Sequence, residues 1–388
     1  MRRRRLLASI ALSLGIAGCQ TPETTTPTDE PARTSTTTRT ETATPTDTPT
    51  SVPTATETET PTATETDTRT ETPTETETDT PTETATPEPS PAEQEAAERI
   101  EAARADLQAA LDGYTEQGED ATTLLEVSAA ATEFEWPAVT NPVGDARSDL
   151  DGVPDIAAEE QLATADDLRE VATFLELAAR TQAPLGKAHD ATTTARQWWY
   201  DEKFSFMGRQ VDRMETRRDE AEDLLSDLQD ETDAASMTAF EPIDEGTYED
   251  KIDQFDAELE TLSDLPDLFE DLETALDRFG GAVEAWDAEE WSRAQGLFEN
   301  TVAAFEDVND EFDSIDRADS FEEVIAEMER VSGTVEDASE HLRDGARAQT
   351  ENDDETREEE KAAADERLRE SDIAVEEMPS VDRILNVT

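Results

Sequence analysis

Apolar residues after about residue 92 recur at intervals of three and four, the spacing of one face of an α-helix. The clearest stripe begins at Trp291 and continues through Ala294, Phe298, Val302, Phe305, Val308, Phe312 and Ile315. The alternation typical of strands is absent from the sequence, and β-branched residues are few. We therefore predict an all-α domain over residues 93–388, built as one or two antiparallel bundles of long helices.

Proline and glycine residues predict where the helices begin and end. We predict helices over about 91–116, 119–135, 157–200, 206–233, 248–263, 266–286, 289–316 and 321–371, with mostly loop over 136–154. Pro184 is expected to kink the third helix, and Pro266 either starts a new helix or kinks a continuous one. The region is large enough to form either one domain or two, and if it forms two we predict the division in the loop near Pro242. The apolar tail from Ile373 to Leu385 is expected to dock onto the bundle.

One stretch of this region has an aromatic residue, a turn, a second aromatic residue and an alanine in order. The residues are Trp286, Trp291 and Ala294, followed by Phe298, and they resemble the turn of a tetratricopeptide helix pair. No second copy follows at the expected 34-residue period. We therefore expect a generic helical hairpin with aromatic packing.

The segment before the helical domain is composed almost entirely of threonine, proline and glutamate. It has fifteen acidic residues against three arginines over residues 20–92. Because it has almost no apolar residues to bury, nothing offsets the entropy of ordering it, and we predict a disordered stalk. Threonine with proline is also the composition of O-glycosylated stalks, and a linker without glycans would serve equally as a spacer.

The first twenty residues have the composition of an export signal. Arg2 to Arg5 form a basic block, and the apolar stretch Leu6–Ala17 spans about 18 Å as a helix, too short to cross a bilayer. The closing tetrapeptide Ile16–Cys19 resembles a lipobox, which implies cleavage of a signal peptide over residues 1–18 and lipidation of Cys19. The arginines are compatible with a twin-arginine signal or with a generic basic region.

The net charge of the chain indicates the kind of environment in which the protein folds. The chain has 99 acidic and 31 basic residues, a formal net charge of −68, and only four lysines: Lys187, Lys203, Lys251 and Lys361. Such self-repulsion disfavours a compact state at ordinary ionic strength, whereas at molar salt the Debye length falls to about 3 Å. The acidic, lysine-poor composition resembles that of a haloarchaeal protein and, with the lipobox, that of a haloarchaeal cell-surface lipoprotein. The charge argues against nucleic acid as a partner.

The two histidines give little sign of metal or cofactor chemistry. Neither His189 nor His341 has a glutamate three residues before it or a second histidine four residues away, so the helical di-iron and zinc motifs are absent. We expect no cofactor. His189 continues an apolar seam and is followed by Arg196, and it either fixes helix register or contacts a ligand. Cys19 is the single cysteine, so no disulfide forms within a monomer.

A second unusual stretch combines aromatic residues with arginines. Five aromatic residues occur within nine positions, and a row of arginines one helical turn apart follows them: Trp198, Trp199, Tyr200, Phe204, Phe206, then Arg209, Arg213 and Arg217. Either these aromatics belong to the core and the arginines pair with nearby carboxylates, or exposed aromatics anchor a partner and the arginines meet its negative charge.

We predict a non-enzymatic protein, anchored through lipid on Cys19 to the outer face of the cell membrane. Its helical domain would mediate protein interaction or scaffolding at the envelope, because no nucleophile motif and no glycine-rich phosphate loop occur in the sequence. The alternative is a solute- or ion-binding lipoprotein with a pocket near His189, Arg196 and Trp199. Oligomeric state is not predicted by these patterns.

Overall fold

A computed structural model describes residues 89–371, Val375 and residues 378–386. Within that part of the chain the regular structure is helical and contains no strand, so the prediction of an all-α fold is confirmed. The helices are α1 Pro91–Thr115, α2 Pro137–Asp151, α3 Glu159–Tyr200, α4 Phe204–Glu231, α5 Glu245–Asp287, α6 Trp291–Ser314, α7 Glu322–Thr350, α8 Asp354–Glu370 and α9 Pro379–Leu385. Short 3₁₀ helices cover Leu124–Glu126, Ala234–Ala239 and Asp319–Phe321.

Several predictions fall outside this part of the chain. The signal peptide, Cys19 and nearly all of the stalk lie outside the described residues, as does Ile373 of the tail. The remaining apolar tail residues behave as predicted, because Val375, Met378, Val381 and Ile384 are buried against the bundle and Leu385 is partly buried. The tail docks through a short helix, α9.

Two neighbouring predictions were wrong: a helix over 119–135 and a loop over 136–154. Residues 119–135 are mostly non-helical, and 136–154, predicted as loop, contain α2. Pro137 occupies the first helical position, where its missing N–H is not needed, so it starts α2 and does not break it. The buried residues of α2 have helical spacing: Val139, Val143, Ala146 and Leu150.

Two further boundaries differ from the predictions. Pro266 lies inside α5, so of the two readings given for this proline the continuous helix is the one observed and the separate helix starting there was wrong. Residues 321–371, predicted as one helix, form α7 and α8 with a turn at Glu351–Asp353. The hairpin from Trp286 to Trp291 forms as expected, with the two indole rings edge to face at 5.2 Å.

Helix α3 packs against α1, α2, α4, α5 and α7. Its 42 residues span about 63 Å. Helix α1 lies beside its first half, where the Gln161 side chain donates to the Glu93 carbonyl at 2.8 Å and the Tyr114 hydroxyl donates to Gln182 at 3.0 Å. Helix α5 runs parallel to its second half, where the Trp199 indole donates to the Leu272 carbonyl at 3.2 Å.

The buried apolar residues form one continuous cluster that includes residues on both sides of position 242. Chain segments before and after that position pack together, since the rings of Phe174 and Tyr248 lie 5.1 Å apart. A division into two domains near Pro242 stays a prediction.

Helices α3, α5 and α7 end in the same backbone motif without using glycine. Glu202, Glu289 and Asn352 adopt left-handed φ values of 54°, 56° and 63°. The next N–H in each case donates to the carbonyl five residues earlier, at 2.9–3.0 Å. This pattern is the Schellman motif, whose left-handed position favours glycine because a Cβ is strained there.

We expect Glu289→Gly to raise the free energy of unfolding by about 1 kcal/mol, because it relieves the left-handed strain. Glu202→Gly should instead lower stability by about 1 kcal/mol, because the Glu202 carboxylate accepts hydrogen bonds from the Ser380 N–H at 2.6 Å and hydroxyl at 2.5 Å. Chemical denaturation in molar salt measures both variants. Stabilisation by both substitutions would show that Glu202 does not hold α9.

Candidate functional site

A stack of cationic and aromatic side chains covers the turn between α3 and α4. The Lys203 ammonium lies 4.9 Å from the centre of the Trp198 ring, Trp198 and Phe206 lie 5.2 Å apart, and the Arg209 guanidinium lies 4.3 Å from the Phe206 ring. Arg213 follows one helical turn later and is exposed. We call these five residues, Trp198, Lys203, Phe206, Arg209 and Arg213, the aromatic–arginine surface.

The turn itself creates this arrangement. Glu202 in its left-handed conformation reverses the chain, so that the start of α4 folds back over the last turn of α3. Phe206 is thereby brought onto Trp198 while remaining 46% exposed, and Trp198 is partly buried beneath it. A large aromatic side chain that stays this exposed is a typical anchor for a partner.

The predicted row of three arginines divides into two kinds. Arg217 is ion-paired with Glu220, and its neighbour Arg218 with Asp219 at 2.7 Å. Arg209 donates to the Ser205 carbonyl at 3.0 Å, and Arg213 donates to the Gln210 side chain at 2.9 Å. Among the described residues, neither Arg209 nor Arg213 has a carboxylate within ion-pair distance.

Two of the predicted surface aromatics belong to the core. Trp199 is fully buried, and its indole N–H is used by the Leu272 carbonyl. Tyr200 is 8% exposed, and burial raises the pKa of its hydroxyl. Neither side chain is available to a partner, so the sequence-based candidate set contracts to Trp198 and Phe206 among the aromatics.

The candidate ligand residues His189 and Arg196 both connect α3 to the start of α7. His189 Nε2 lies 2.9 Å from the Ser320 carbonyl, and its ring lies 5.0 Å from that of Phe321. Arg196 is ion-paired with Glu327. Burial lowers the pKa of His189 and favours its neutral form. These contacts are those expected of residues that fix helix register.

The structure contains a buried polar cluster that sequence reasoning missed. Tyr114, Gln182, Lys251 and Glu258 are each at most 1% exposed. The Lys251 ammonium donates to the Val127 carbonyl at 2.6 Å and to the side chains of Gln182 at 3.1 Å and Gln254 at 3.0 Å, so all three of its protons are used.

This cluster holds the non-helical segment 116–136 against the bundle. Lys251 binds the Val127 carbonyl, and the Glu258 carboxylate accepts from the Ala129 N–H at 2.7 Å and the Ser320 hydroxyl at 3.0 Å. Gly186 lets the same segment approach α3, because a Cβ there would lie 2.5 Å from the Ala131 carbonyl oxygen. Buried backbone groups without helical partners are thus satisfied by side chains.

Burial dominates the electrostatics of the cluster. It lowers the pKa of Lys251 to about 7 and raises the pKa of Glu258, each offset in part by the opposite charge of the other. It also raises the pKa of Tyr114. The signal in the sequence was the spacing: Lys251 and Glu258 lie on the same helix face as Tyr248, Phe255 and Leu262. The apolar neighbour Ile252 is only partly buried.

Two grooves on the surface each contain an ion pair and have more acidic than basic residues in their lining. One of about 700 Å³ lies between α6, α7 and α8 and contains the ion pair of Arg367 and Asp337 at 2.5 Å. Another of about 270 Å³ lies against Trp286 and contains the pair of Lys361 and Asp365 at 2.7 Å. Within the described residues no three His, Cys, Asp or Glu side chains are grouped as metal ligands. None of the described helices has the length and apolar character needed to cross a membrane.

No protein-family model, curated protein or solved structure is significantly similar to this chain.

Proposed function

We propose that the protein is a lipid-anchored, non-enzymatic interaction module of the cell surface, and that the aromatic–arginine surface is its contact face. The observation that carries the proposal is the exposed position of Arg209 and Arg213 beside Phe206 in a chain with 99 acidic residues, while neither arginine has a carboxylate partner in the part of the chain that the structure describes. Exposed arginines beside an exposed aromatic ring suit a partner that offers carboxylates and apolar groups.

The position of the surface supports this role. Helix α1 begins beside Gln161 near the start of α3, whereas Trp198 lies near its end, about 55 Å further along the helix. A domain tethered through the chain that precedes α1 would present the aromatic–arginine surface at its far end. An anchor at Cys19 is proposed from the lipobox alone.

The buried position of Lys251 supports a structural role for this lysine and not a catalytic one. Lys251 has a lowered pKa, which is also a property of catalytic lysines. Its side chain is 0% exposed, however, and donates every proton to the protein itself. It therefore acts as a clamp on segment 116–136.

The test is a cross-linked pull-down of the intact protein from detergent-solubilised membranes in molar salt, analysed by mass spectrometry. The triple variant Phe206→Ala, Arg209→Ala, Arg213→Ala should lose at least 10-fold of a reproducible partner, because both the aromatic anchor and the charge are removed. The matched control Trp136→Ala, Arg293→Ala, Arg347→Ala removes an exposed aromatic residue and two exposed arginines elsewhere.

Equal recovery from both variants would contradict the proposed contact face. A preparation with no partner at all would favour the solute-binding alternative near His189, Arg196 and Trp199. A thermal shift with a candidate solute that disappears in Arg196→Ala would support that alternative.

A further inference from the structure

We propose that the groove of about 270 Å³ against Trp286 binds a small organic cation that carries a quaternary ammonium group. The groove is lined by residues of the α5–α6 turn and of α8, and none of them belongs to the aromatic–arginine surface. The inference therefore goes beyond the proposed function. Two features of the lining support it: a pair of indole rings, and an excess of carboxylates of which one has no cationic partner.

The first feature is the pair of indole rings. Trp286 and Trp291 both line the groove, with ring centres 5.2 Å apart and ring planes at 86° to each other. The Arg357 guanidinium lies 5.5 Å from the centre of the Trp291 ring, so this ring already accepts one cation. Tryptophan attracts cations more strongly than the other aromatic side chains do, and aromatic cages are the usual binding sites of quaternary ammonium ligands.

Packing holds the Trp286 ring in a fixed position. A Cβ at Gly345 would lie 3.0 Å from Cη2 of Trp286 and 3.4 Å from the Arg357 carbonyl oxygen, so the glycine lets α7 approach both the ring and α8. The Phe298 ring meets Trp286 edge to face with centres 6.2 Å apart. Trp286 is only 3% exposed, whereas Trp291 is partly buried and is the ring more open to a ligand.

The second feature is charge. Four carboxylates and two cations line the groove, and both cations are already paired. Lys361 donates to the two oxygens of Asp365 at 2.7 and 2.8 Å, and Arg357 is ion-paired with Glu358. Glu289 also lines the groove, and within the described residues its carboxylate has no cation at ion-pair distance. An incoming cation therefore meets an uncompensated carboxylate beside the indole rings.

The properties of the groove favour an organic cation over an inorganic one. At molar salt the Debye length is about 3 Å, so a hydrated inorganic ion gains little from Glu289 unless the two are in direct contact. A quaternary ammonium group has no N–H whose hydration must be replaced, and its methyl groups bury apolar surface against the indole rings. The volume of about 270 Å³ lies just below the range of about 300–1,000 Å³ typical of drug-sized ligands and suits a smaller molecule.

The experiment titrates the intact protein with choline in molar potassium chloride and follows the NMR line width of the choline methyl signal. The uncharged control ligand is 3,3-dimethylbutan-1-ol, in which a carbon atom replaces the ammonium nitrogen and the shape is kept. Glu289→Gln removes the charge at the groove. The matched control Glu290→Gln changes the adjacent exposed carboxylate, which is paired with Arg293 at 2.7 Å and does not line this groove.

We expect one choline to bind per chain, at least about 10-fold more tightly than the alcohol, because the attraction to the rings and to the carboxylate requires the charge. Glu289→Gln should weaken binding about 3-fold and Trp291→Phe about 5-fold, whereas Glu290→Gln should leave it unchanged. Glu289→Gly should weaken binding as much as Glu289→Gln does. Because Glu289→Gly is also expected to stabilise the fold, its weaker binding cannot result from unfolding.

Equal binding of choline and the alcohol, or no saturable binding of choline, would overturn the proposal. Equal weakening by Glu289→Gln and Glu290→Gln would place the cation in the neighbouring opening of about 480 Å³, which both residues line, and would overturn the assignment to this groove. Glycerophosphocholine distinguishes the sources of the cation: binding tighter than that of choline assigns the site to a lipid headgroup, and weaker binding assigns it to a free solute. The pull-down with the aromatic–arginine variants tests the proposed function independently of these results.

Discussion

Replacement of Lys251 by methionine is expected to lower the free energy of unfolding by about 3–5 kcal/mol at pH 7. Methionine matches the apolar part of the lysine side chain as far as Cε but lacks the ammonium group, so the buried Val127 carbonyl loses the donor that lies at 2.6 Å. Glu258, also buried, loses the opposite charge that offsets its desolvation. Both losses fall on groups that water does not reach.

The control is Lys187→Met, which removes an exposed lysine from α3 and should change stability by less than about 0.5 kcal/mol. Glu258→Gln is destabilising for the reciprocal reason. The double variant Lys251→Met, Glu258→Gln should lose less stability than the sum of the two single variants, because neither charge is then left alone. Additive losses would show that the two side chains do not act as a pair. Urea denaturation in molar salt measures all four variants.

The helical fold was predictable because burial leaves a periodic mark on the sequence. The stripe from Trp291 to Ile315 corresponds to the buried face of α6, since Phe298, Phe305 and Phe312 are fully buried. The errors arose where one residue type has two local meanings. Pro137 starts α2 at a position that needs no N–H, and the same proline inside a helix would break it.

The candidate site was predictable only in part, because exposure depends on what packs against each side chain. Trp198 and Trp199 are adjacent in sequence, yet α5 covers Trp199 while Trp198 lies under Phe206 near the surface. The periodicity of α3 does not say which neighbour will cover which face. The arginines, by contrast, could have been separated from the sequence, because Arg217 has Glu220 three residues later whereas Arg213 has no carboxylate three or four residues away.

The Lys251 cluster could not be foreseen because its partners come from distant parts of the chain. Val127 and Ala129 belong to a segment we had predicted to be helical, in which their backbone groups would have bonded within the helix. Once that segment is non-helical and buried, a donor and an acceptor must be supplied from outside. Lys251 and Glu258 supply them from α5.

Stability is expected to rise with pH between about pH 7 and pH 10, the reverse of what acid-rich surfaces alone would give. Burial lowers the pKa of Lys251 from 10.5 in the unfolded chain to about 7 in the fold. In this window the unfolded state binds one more proton than the folded state, so each increase in pH favours folding, by up to about 1.4 kcal/mol per pH unit. Above pH 10 the raised pKa of Tyr114 reverses the trend.

Below pH 7 the stability of the fold depends on another group, Glu311. Burial and the nearby Asp271 carboxylate raise the pKa of Glu311 to about 7. Between about pH 4.5 and pH 7 the Glu311 carboxyl therefore keeps its proton in the folded state but has lost it in the unfolded state. The free energy of unfolding falls as pH increases through this range. Urea denaturation in molar salt at half-unit steps from pH 6 to pH 10 gives the profile. Lys251→Met should remove the rise above pH 7, and Lys187→Met should keep it. A rise that persists in Lys251→Met would assign the effect to a group outside the buried cluster. The other titratable members of the cluster, Tyr114 and Glu258, have raised pKa values, and each therefore lowers stability as pH increases.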